Sequence, residues 1–289
     1  MFDFRVQTFL AVCKTMNYTK AADLLGLTQP AVSQHIHWLE QQYDVKLFSY
    51  RGKKLTLTDA GIKMQTAFTT IQNDLQSLAK NIKDQKQTLS FGVTPTVGTY
   101  LIPKPLANYK KQFPNIDINM QVDNTARLCM AIDKGELDFA IVEGYFHKNN
   151  YDALLYKTEK YLAVCSTNMQ IDKNISKLAQ LVSFPIVIRE HGSGNREIII
   201  RSLSRHNLSI EDFKSVIQIS DLHALKALLL EGAGIGFMYH AAVKNEIEQG
   251  KLKEIVLNDF NEEHEITFIW RKNSVYSDKY RQIHSLLQP

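Results

Sequence analysis

Apolar residues recur at three- and four-residue steps through the first sixty positions, then along one long seam, and after residue 88 in short alternating or continuous runs. The first pattern predicts helices, the last strands. Phe2, Val6, Phe9, Leu10 and Cys13 define a first helix. "NYTKAADLLGL" predicts a second, with Thr19 as N-cap, Ala21, Ala22, Leu24 and Leu25 inward, and Gly26 as C-cap. Thr28 caps a third, Pro30 falls in its first turn where a missing N–H costs nothing, and Val32, Ile36, Leu39 and Tyr43 form its buried stripe. "KLFSYRGKKLTLT" then alternates around a Gly turn, which predicts a two-stranded wing.

Thr58 caps a helix expected to reach about residue 86. Along it Met64, Phe68, Ile71, Leu75, Leu78 and Ile82 step by four and three, a heptad seam. Two arrangements fit: a dimer contact through Phe68, Ile71, Leu75, Leu78 and Ile82, or an amphipathic helix lying on its own domain.

From residue 88 strands alternate with helices, the mark of α/β architecture. "TLSFGVT", "IDINMQV", "LDFAIVE", "YLAVCS", "FPIVIRE", "SVIQIS", "GIGFMY" and "EITFIW" read as strands. "TYLIPKPLANYKKQF", "TARLCMAIDKG", the run after "HGSGN", "DLHALKALLLEG" and about 277–287 read as helices.

Charge sharpens this picture. The whole chain of 289 residues carries only +4. Residues 1–63 hold eight basic and five acidic side chains, so most of the excess is local, and Arg51, Lys53 and Lys54 sit at the wing tip. Two helices joined by a tight Gly-containing turn form a helix-turn-helix, whose second helix enters the major groove by its N-terminal end. Thr28, Gln29, Pro30, Ser33, Gln34 and His37 would then face DNA, with Gln able to pair bidentately with adenine and the wing bases on phosphates. A small helical bundle with a polar surface fits the same helices taken alone. Cys13, Cys129 and Cys165 are odd in number and far apart, which suits reduced thiols in cytoplasm. His35-x-His37 is too little for a metal site. The N-terminus reads as a helix and not a signal peptide, and no apolar run is long enough to span a membrane.

Three stretches sit where strand ends meet helix starts, the place where α/β folds hold anions on backbone N–H groups. "GVTPTVG" offers Thr94 and Thr96; "DNTARL" offers Asn124 and Thr125; "REHGSGNRE" offers Arg189, Ser193, Asn195 and Arg196 around two glycines. Helix capping accounts for the first two as well, and Arg189 has Glu190 or Glu143 as structural partners. "GAGIG" at 232–236 follows a helix and lacks dinucleotide spacing, so helix termination explains it better. Neither G-x-S-x-G nor H-E-x-x-H occurs, and nothing argues for catalysis.

The run "FLAVCKTMNYTKAADLLGLTQPAVSQHIHWLEQQYDVKLFSYRGKKLTLTDAG" resembles the winged helix-turn-helix of LysR-type transcriptional regulators, with Gln34 and His37 where many members carry Arg or Lys. "GVTPTVGTYLIP", "GELDFAIVEG" and "REHGSGNRE" resemble the effector domain of that family, in the branch containing regulators of sulfur assimilation and carbon fixation. Asn195 stands where that branch often has Thr. The resemblance implies a winged helix-turn-helix over 1–58, a linker and dimerisation helix over 59–87, and a two-subdomain, periplasmic-binding-protein-like α/β domain over 88–289. Its subdomain I takes about 88–162 and 267–289, and subdomain II about 163–266. It further implies promoter DNA, a small anionic effector at Thr94, Thr96, Asn124, Thr125, Glu143, Arg189, Ser193, Asn195 and Arg196, a homodimer or homotetramer, and RNA polymerase as partners. No cofactor, metal or membrane is implied. A small-molecule binding protein or enzyme without sequence-selective DNA binding is the alternative, distinguished by binding or turnover without DNA selectivity.

Overall fold

The computed structural model describes residues 3–83, 88–172 and 174–289. Three helices open the chain: α1 (Phe4–Thr15), α2 (Tyr18–Leu25) and α3 (Gln29–Tyr43), followed by a hairpin of β1 (Phe48–Arg51) and β2 (Lys54–Leu57). Phe9, Val12, Ala21, Val32, Ile36, Leu39 and Leu47 close the core between them. Gly26 adopts φ +64°, and its N–H reaches the carbonyls of Ala22 and Asp23, so α2 stops and the chain turns. The Thr28 hydroxyl accepts from the Ala31 N–H at 3.4 Å, and Pro30 lies in the first turn of α3. Phe2 lies outside the described residues.

Three expectations need correction. Asn17, not Thr19, caps α2: its extended backbone lets the side chain accept from the Lys20 N–H at 3.0 Å, and Thr19 is already helical. Leu24 is 56% exposed, because α2 turns Ala21 and Ala22 inward, with Tyr18 and Leu25 partly buried beside them. Tyr43, 51% exposed, is the last residue of α3; the chain turns away at Asp44, φ +50°.

Helix α4 (Asp59–Lys83) begins where the Thr58 hydroxyl accepts from the Gly61 N–H. Residues 84–86 of the expected helix lie outside the described residues. The second half is built on β3 (Thr88–Val93), β4 (Asp117–Val122), β5 (Phe139–Val142), β6 (Tyr151–Ser166), β7 (Pro185–Arg189), β8 (Ser215–Ile219), β9 (Ile235–Tyr239), β10 (Leu252–Glu254) and β11 (Glu262–Arg271). Helices α5 (Pro103–Gln112), α6 (Thr125–Asp133), α7 (Gly194–Arg205), α8 (Leu222–Leu230), α9 (His240–Glu248) and α10 (Ser277–Leu286) cover the sheet.

Strand order is β4-β3-β5-β11-β6-β9-β7-β8. The outer triplets are parallel, and the long antiparallel β6 and β11 join them. Each triplet has its first strand in the middle, and the crossover direction reverses there. Such a switch point opens a crevice at the carboxyl ends of the strands. Each half has its own core: Phe91, Phe139 and Phe268 stack at centroid distances of 4.9 and 4.4 Å in one, while Ile186, Leu203, Ile235 and Phe237 fill the other. Sequence patterning missed α9, β10 and the first part of β6. "YDALLYKTEK" has an exposed polar face, and α9 buries only Ala242 and Val243.

Candidate functional site

Two surfaces carry chemistry. On the first, Thr28, Gln29, Pro30, Ser33, Gln34 and His37 are all exposed on the N-terminal half of α3, while Val32 and Ile36 between them are buried. The helical period thus puts the polar residues on one side and the anchors on the other. The His37 Nε2 atom lies 3.0 Å from Gln41 Nε2, one helical turn on. Arg51, Lys53 and Lys54 are exposed at the hairpin tip. Two neighbours went unread in the sequence: Tyr50, 67% exposed on the wing, and Arg5, whose guanidinium lies 4.0 Å above the Trp38 ring.

The second surface is internal. Thr94 and Thr96 follow β3, Glu143 follows β5, Arg189 ends β7 and Tyr239 ends β9, so four parallel strands from both halves deliver polar side chains to one place. All five are buried, as are Asn124, Thr125, Ser193, Asn195 and Arg196. Thr94 Oγ1, Thr96 Oγ1, Glu143 Oε2, Arg189 Nη1, Arg196 Nε and Tyr239 OH have no partner at hydrogen-bond distance, although Thr94 and Thr96 lie near enough to the Glu143 carboxyl to pull on it. A buried polar atom without a partner costs about 1–3 kcal/mol, so a cluster of them is expensive as mere packing. Burial pushes the Glu143 carboxyl up to about 7, against the opposing pull of Thr96, Arg189 and Thr94. Sequence reasoning missed Tyr239 and Tyr161; the Tyr161 hydroxyl donates to Asn195 at 2.9 Å from β6.

Asn124 and the backbone of Ala126 clasp the two halves together, while Thr125, Arg189 and Arg196 bond within their own half. Asn124 caps α6 and also donates to Glu190 at 3.1 Å. The Ala126 N–H donates to the Gly192 carbonyl at 3.2 Å, and the Thr125 hydroxyl to the Glu143 carbonyl at 2.8 Å. Gly144 and Gly194 touch backbone to backbone: a Cβ on Gly194 would stand 1.9 Å from the Glu143 carbonyl oxygen. Arg189 pairs with Glu190 at 2.8 Å, and burial of Glu190 is outweighed by the hydrogen bonds of Arg189 and Asn124, which hold it below the ordinary carboxylate range. Arg196 donates to the Arg189 carbonyl at 2.8 Å and to Gln218 at 3.2 Å. Ser193 precedes α7 without capping it. A neighbouring cavity of about 420 Å³ lies behind the clasp, among Thr125, Met130, Tyr145, Glu197 and Arg201.

Helix α4 connects the two surfaces. Its polar side is tied to the second half: Thr70 donates to the Lys272 carbonyl, Asn73 to the Ile132 carbonyl, and Asp74 accepts from Ser274 and the Val275 N–H. Phe68 is drawn into the N-terminal core, its ring 5.9 Å from that of Phe9, and leaves the expected seam. Ile71, Leu75, Leu78 and Ile82 remain 45–75% exposed. One side of α4 thus lies on its own chain, and the other keeps an exposed apolar stripe.

Residues 5–62 match the family described as bacterial regulatory helix-turn-helix protein, lysR family, and residues 83–289 match the LysR substrate binding domain. The chain belongs to the LysR family. Its relatives include an uncharacterized HTH-type transcriptional regulator of Methanocaldococcus jannaschii, 27% identical over 260 residues and covering 88% of each chain. A probable RuBisCO transcriptional regulator of Phaeodactylum tricornutum is 28% identical over 246 residues, covering 82% of this chain and 80% of that one. Among solved structures, the OxyR C206 mutant of Corynebacterium glutamicum superposes with TM-score 0.60 at 20% identity, over 99% of this chain and 90% of that one. Full-length LysG of the same organism, with bound effector Arg, gives TM-score 0.60 at 14% identity over 99% and 97%. The protein is a LysR-type DNA-binding transcriptional regulator with an effector-binding domain, in a family of regulators and not of enzymes. Its second half has the two-subdomain α/β fold expected from the sequence. No helix among the described residues is long and apolar enough to cross a membrane.

Proposed function

We propose that this LysR regulator senses a small oxyanion, or the oxyanion end of a small metabolite, in the cleft between its subdomains, and that the ligand changes how an oligomer holds promoter DNA. The buried, unpartnered atoms of Thr94, Thr96, Arg189 and Arg196 carry this reading, because hydroxyls and guanidiniums converging at strand ends are donors for an anion. The clasp across Asn124, Gly144, Gly192 and Gly194 couples occupancy to closure. A ligand that touches both subdomains favours the closed state by its differential affinity.

Helix α6 supplies the route outward. Its first turn lies in the cleft, and at its last residue Asp133 accepts from Arg271, which also donates to the Thr66 carbonyl of α4. The exposed stripe Ile71, Leu75, Leu78 and Ile82 supports pairing of two chains, giving two α3 helices for two half-sites. Functional boundaries of 1–58, 59–87 and 88–289 follow, with subdomain I at about 88–162 and 267–289 and subdomain II at about 163–266. Thr28, Gln29, Pro30, Ser33, Gln34 and His37 read bases or fix the helix, and Arg51, Lys53 and Lys54 hold phosphates. The setting is cytoplasmic, and contact with RNA polymerase completes the regulatory step.

The test is a thermal-shift panel of inorganic and carboxylate anions on the full-length protein. An anion at one hundred times its dissociation constant adds about 2.7 kcal/mol of stability. It should do so for the wild type and not for Arg196→Met or Thr96→Val. No anion raising the midpoint, or equal shifts in the variants, would remove the cleft from the account.

A further inference from the structure

An anion pocket that contains a buried carboxyl has a charge problem. Around Glu143 stand Arg189 from β7, Tyr161 from β6 and Tyr239 from β9, with Thr94 and Thr96 from the end of β3 and the Thr125 hydroxyl on its own carbonyl. Arg189 is already paired with Glu190, so with Glu143 ionised the charges of Arg189, Arg196, Glu190 and Glu143 cancel. With Glu143 neutral the same set is +1. The Glu143 Oε2 atom is buried with no donor at hydrogen-bond distance, Arg189 Nη1 is likewise without a partner, and the Thr94 and Thr96 hydroxyls, near enough to pull on the carboxyl, make no close bond to it. An oxyanion accepted by those donors brings an oxygen toward Oε2, and two oxygens meet favourably only across a hydrogen.

Resting on the oxyanion reading above, we propose that Glu143 and the bound oxyanion share one proton. The ligand supplies it when it carries an acidic O–H, and Glu143 takes it from solvent when the ligand has none. Glu143 is thus a specificity-determining residue that separates protonated from fully deprotonated oxyanions. Burial, which lifts this carboxyl into the neutral range, makes the uptake accessible at physiological pH. The balance is simple: a sulfate-like ligand binds together with one proton, whereas a hydrogenphosphate-like ligand binds alone and donates its O–H to the Glu143 carboxylate.

Isothermal titration calorimetry of the full-length protein with inorganic sulfate and with inorganic phosphate, from about pH 6 to about pH 8.5, tests this. Above the Glu143 midpoint sulfate affinity should fall about tenfold per pH unit, while phosphate, which there meets the carboxylate as hydrogenphosphate and takes up no proton, changes little. Repeating the sulfate titration in two buffers of different ionisation enthalpy should show uptake approaching one proton per ligand at the upper pH, a measurement that needs no variant. In Glu143→Gln the amide donates in place of the proton, so sulfate binding becomes independent of pH. Parallel pH profiles for the two anions, or no proton uptake with sulfate, would overturn the shared proton while leaving the anion pocket standing. Binding of neither anion would overturn the pocket reading and this inference with it.

Discussion

Gly194→Ala is the sharpest perturbation of the cleft that leaves its polar groups in place. Gly194 has no left-handed φ, so Ala is allowed there, and at the start of α7 its helix propensity favours it by up to about 1 kcal/mol. The obstacle is contact. The new Cβ would stand 1.9 Å from the Glu143 carbonyl oxygen and 2.8 Å from Thr125 Oγ1, where Cβ atoms keep at least 3.0 Å. The two subdomains must part by about 1.1 Å at this point. Backbone is on the other side, so no side-chain rotation relieves it. Overpacking of this kind costs about 1–3 kcal/mol, which exceeds the propensity gain and falls on the closed state. That converts to a closed-to-open ratio lowered about 5- to 150-fold.

The Ala126 N–H, hydrogen-bonded across the cleft to the Gly192 carbonyl at 3.2 Å, reports this opening directly. Amide exchange at Ala126 should accelerate by the same factor, while amides of the buried strand β5 are unchanged. Affinity for a cleft-binding anion should fall in parallel. Wild-type exchange at Ala126 in a folded Gly194→Ala protein would refute the argument that this glycine pair holds the subdomains shut.

Further outcomes follow from the same contacts. Glu143, at about 7 when folded against an ordinary 4.5, holds an extra proton between those values. Stability should therefore fall as pH rises through that window and level off above it, by up to about 3 kcal/mol. In denaturant titrations the gap between Glu143→Gln and wild type should widen by that amount from about pH 5 to about pH 8, and a constant gap would count against it. Burial pushes the Cys13 and Cys129 thiols up to about 12. Iodoacetamide should then label them in the native protein at least about 100-fold more slowly at pH 8 than in the unfolded chain, by the loss of thiolate. Leu75 and Leu78 are 48% and 45% exposed and hold no part of the chain's own cores. Leu75→Asp with Leu78→Asp should halve the particle mass in light scattering and leave circular dichroism unchanged, each leucine being worth about 1.5–3 kcal/mol in a contact.

Much of this molecule was legible in local pattern. Gly26, Thr28 and Pro30 mark α2 and α3 because caps act within four residues, and the Thr94, Arg189 and Arg196 stretches stand at strand ends by their place in the α/β alternation. What stayed hidden depends on partners distant in sequence. Phe68 reads as part of a heptad seam, and only the fold shows Phe9 beside it. Tyr239 looks like one more apolar strand residue in "GIGFMY"; that it ends β9 near Glu143, the residue after β5, follows from the order in which the strands assemble. Gly194 carries no local signature for its contact, since it is small for the Glu143 carbonyl and the Thr125 hydroxyl, both distant in sequence. Asn17 and Thr19 illustrate the reverse limit, two equally good caps two residues apart, decided by which backbone is extended.

The central claim is that α3 reads bases and the wing supplies phosphate affinity. Selection of fragmented genomic DNA by the full-length protein near physiological salt tests it most directly, with a Gln29→Ala, Gln34→Ala variant alongside. The wild type should enrich a few dyad-symmetric sites, and the variant should lose them at a cost of about 1–3 kcal/mol per base contact. Diffuse, salt-sensitive binding that is the same in both proteins would contradict it.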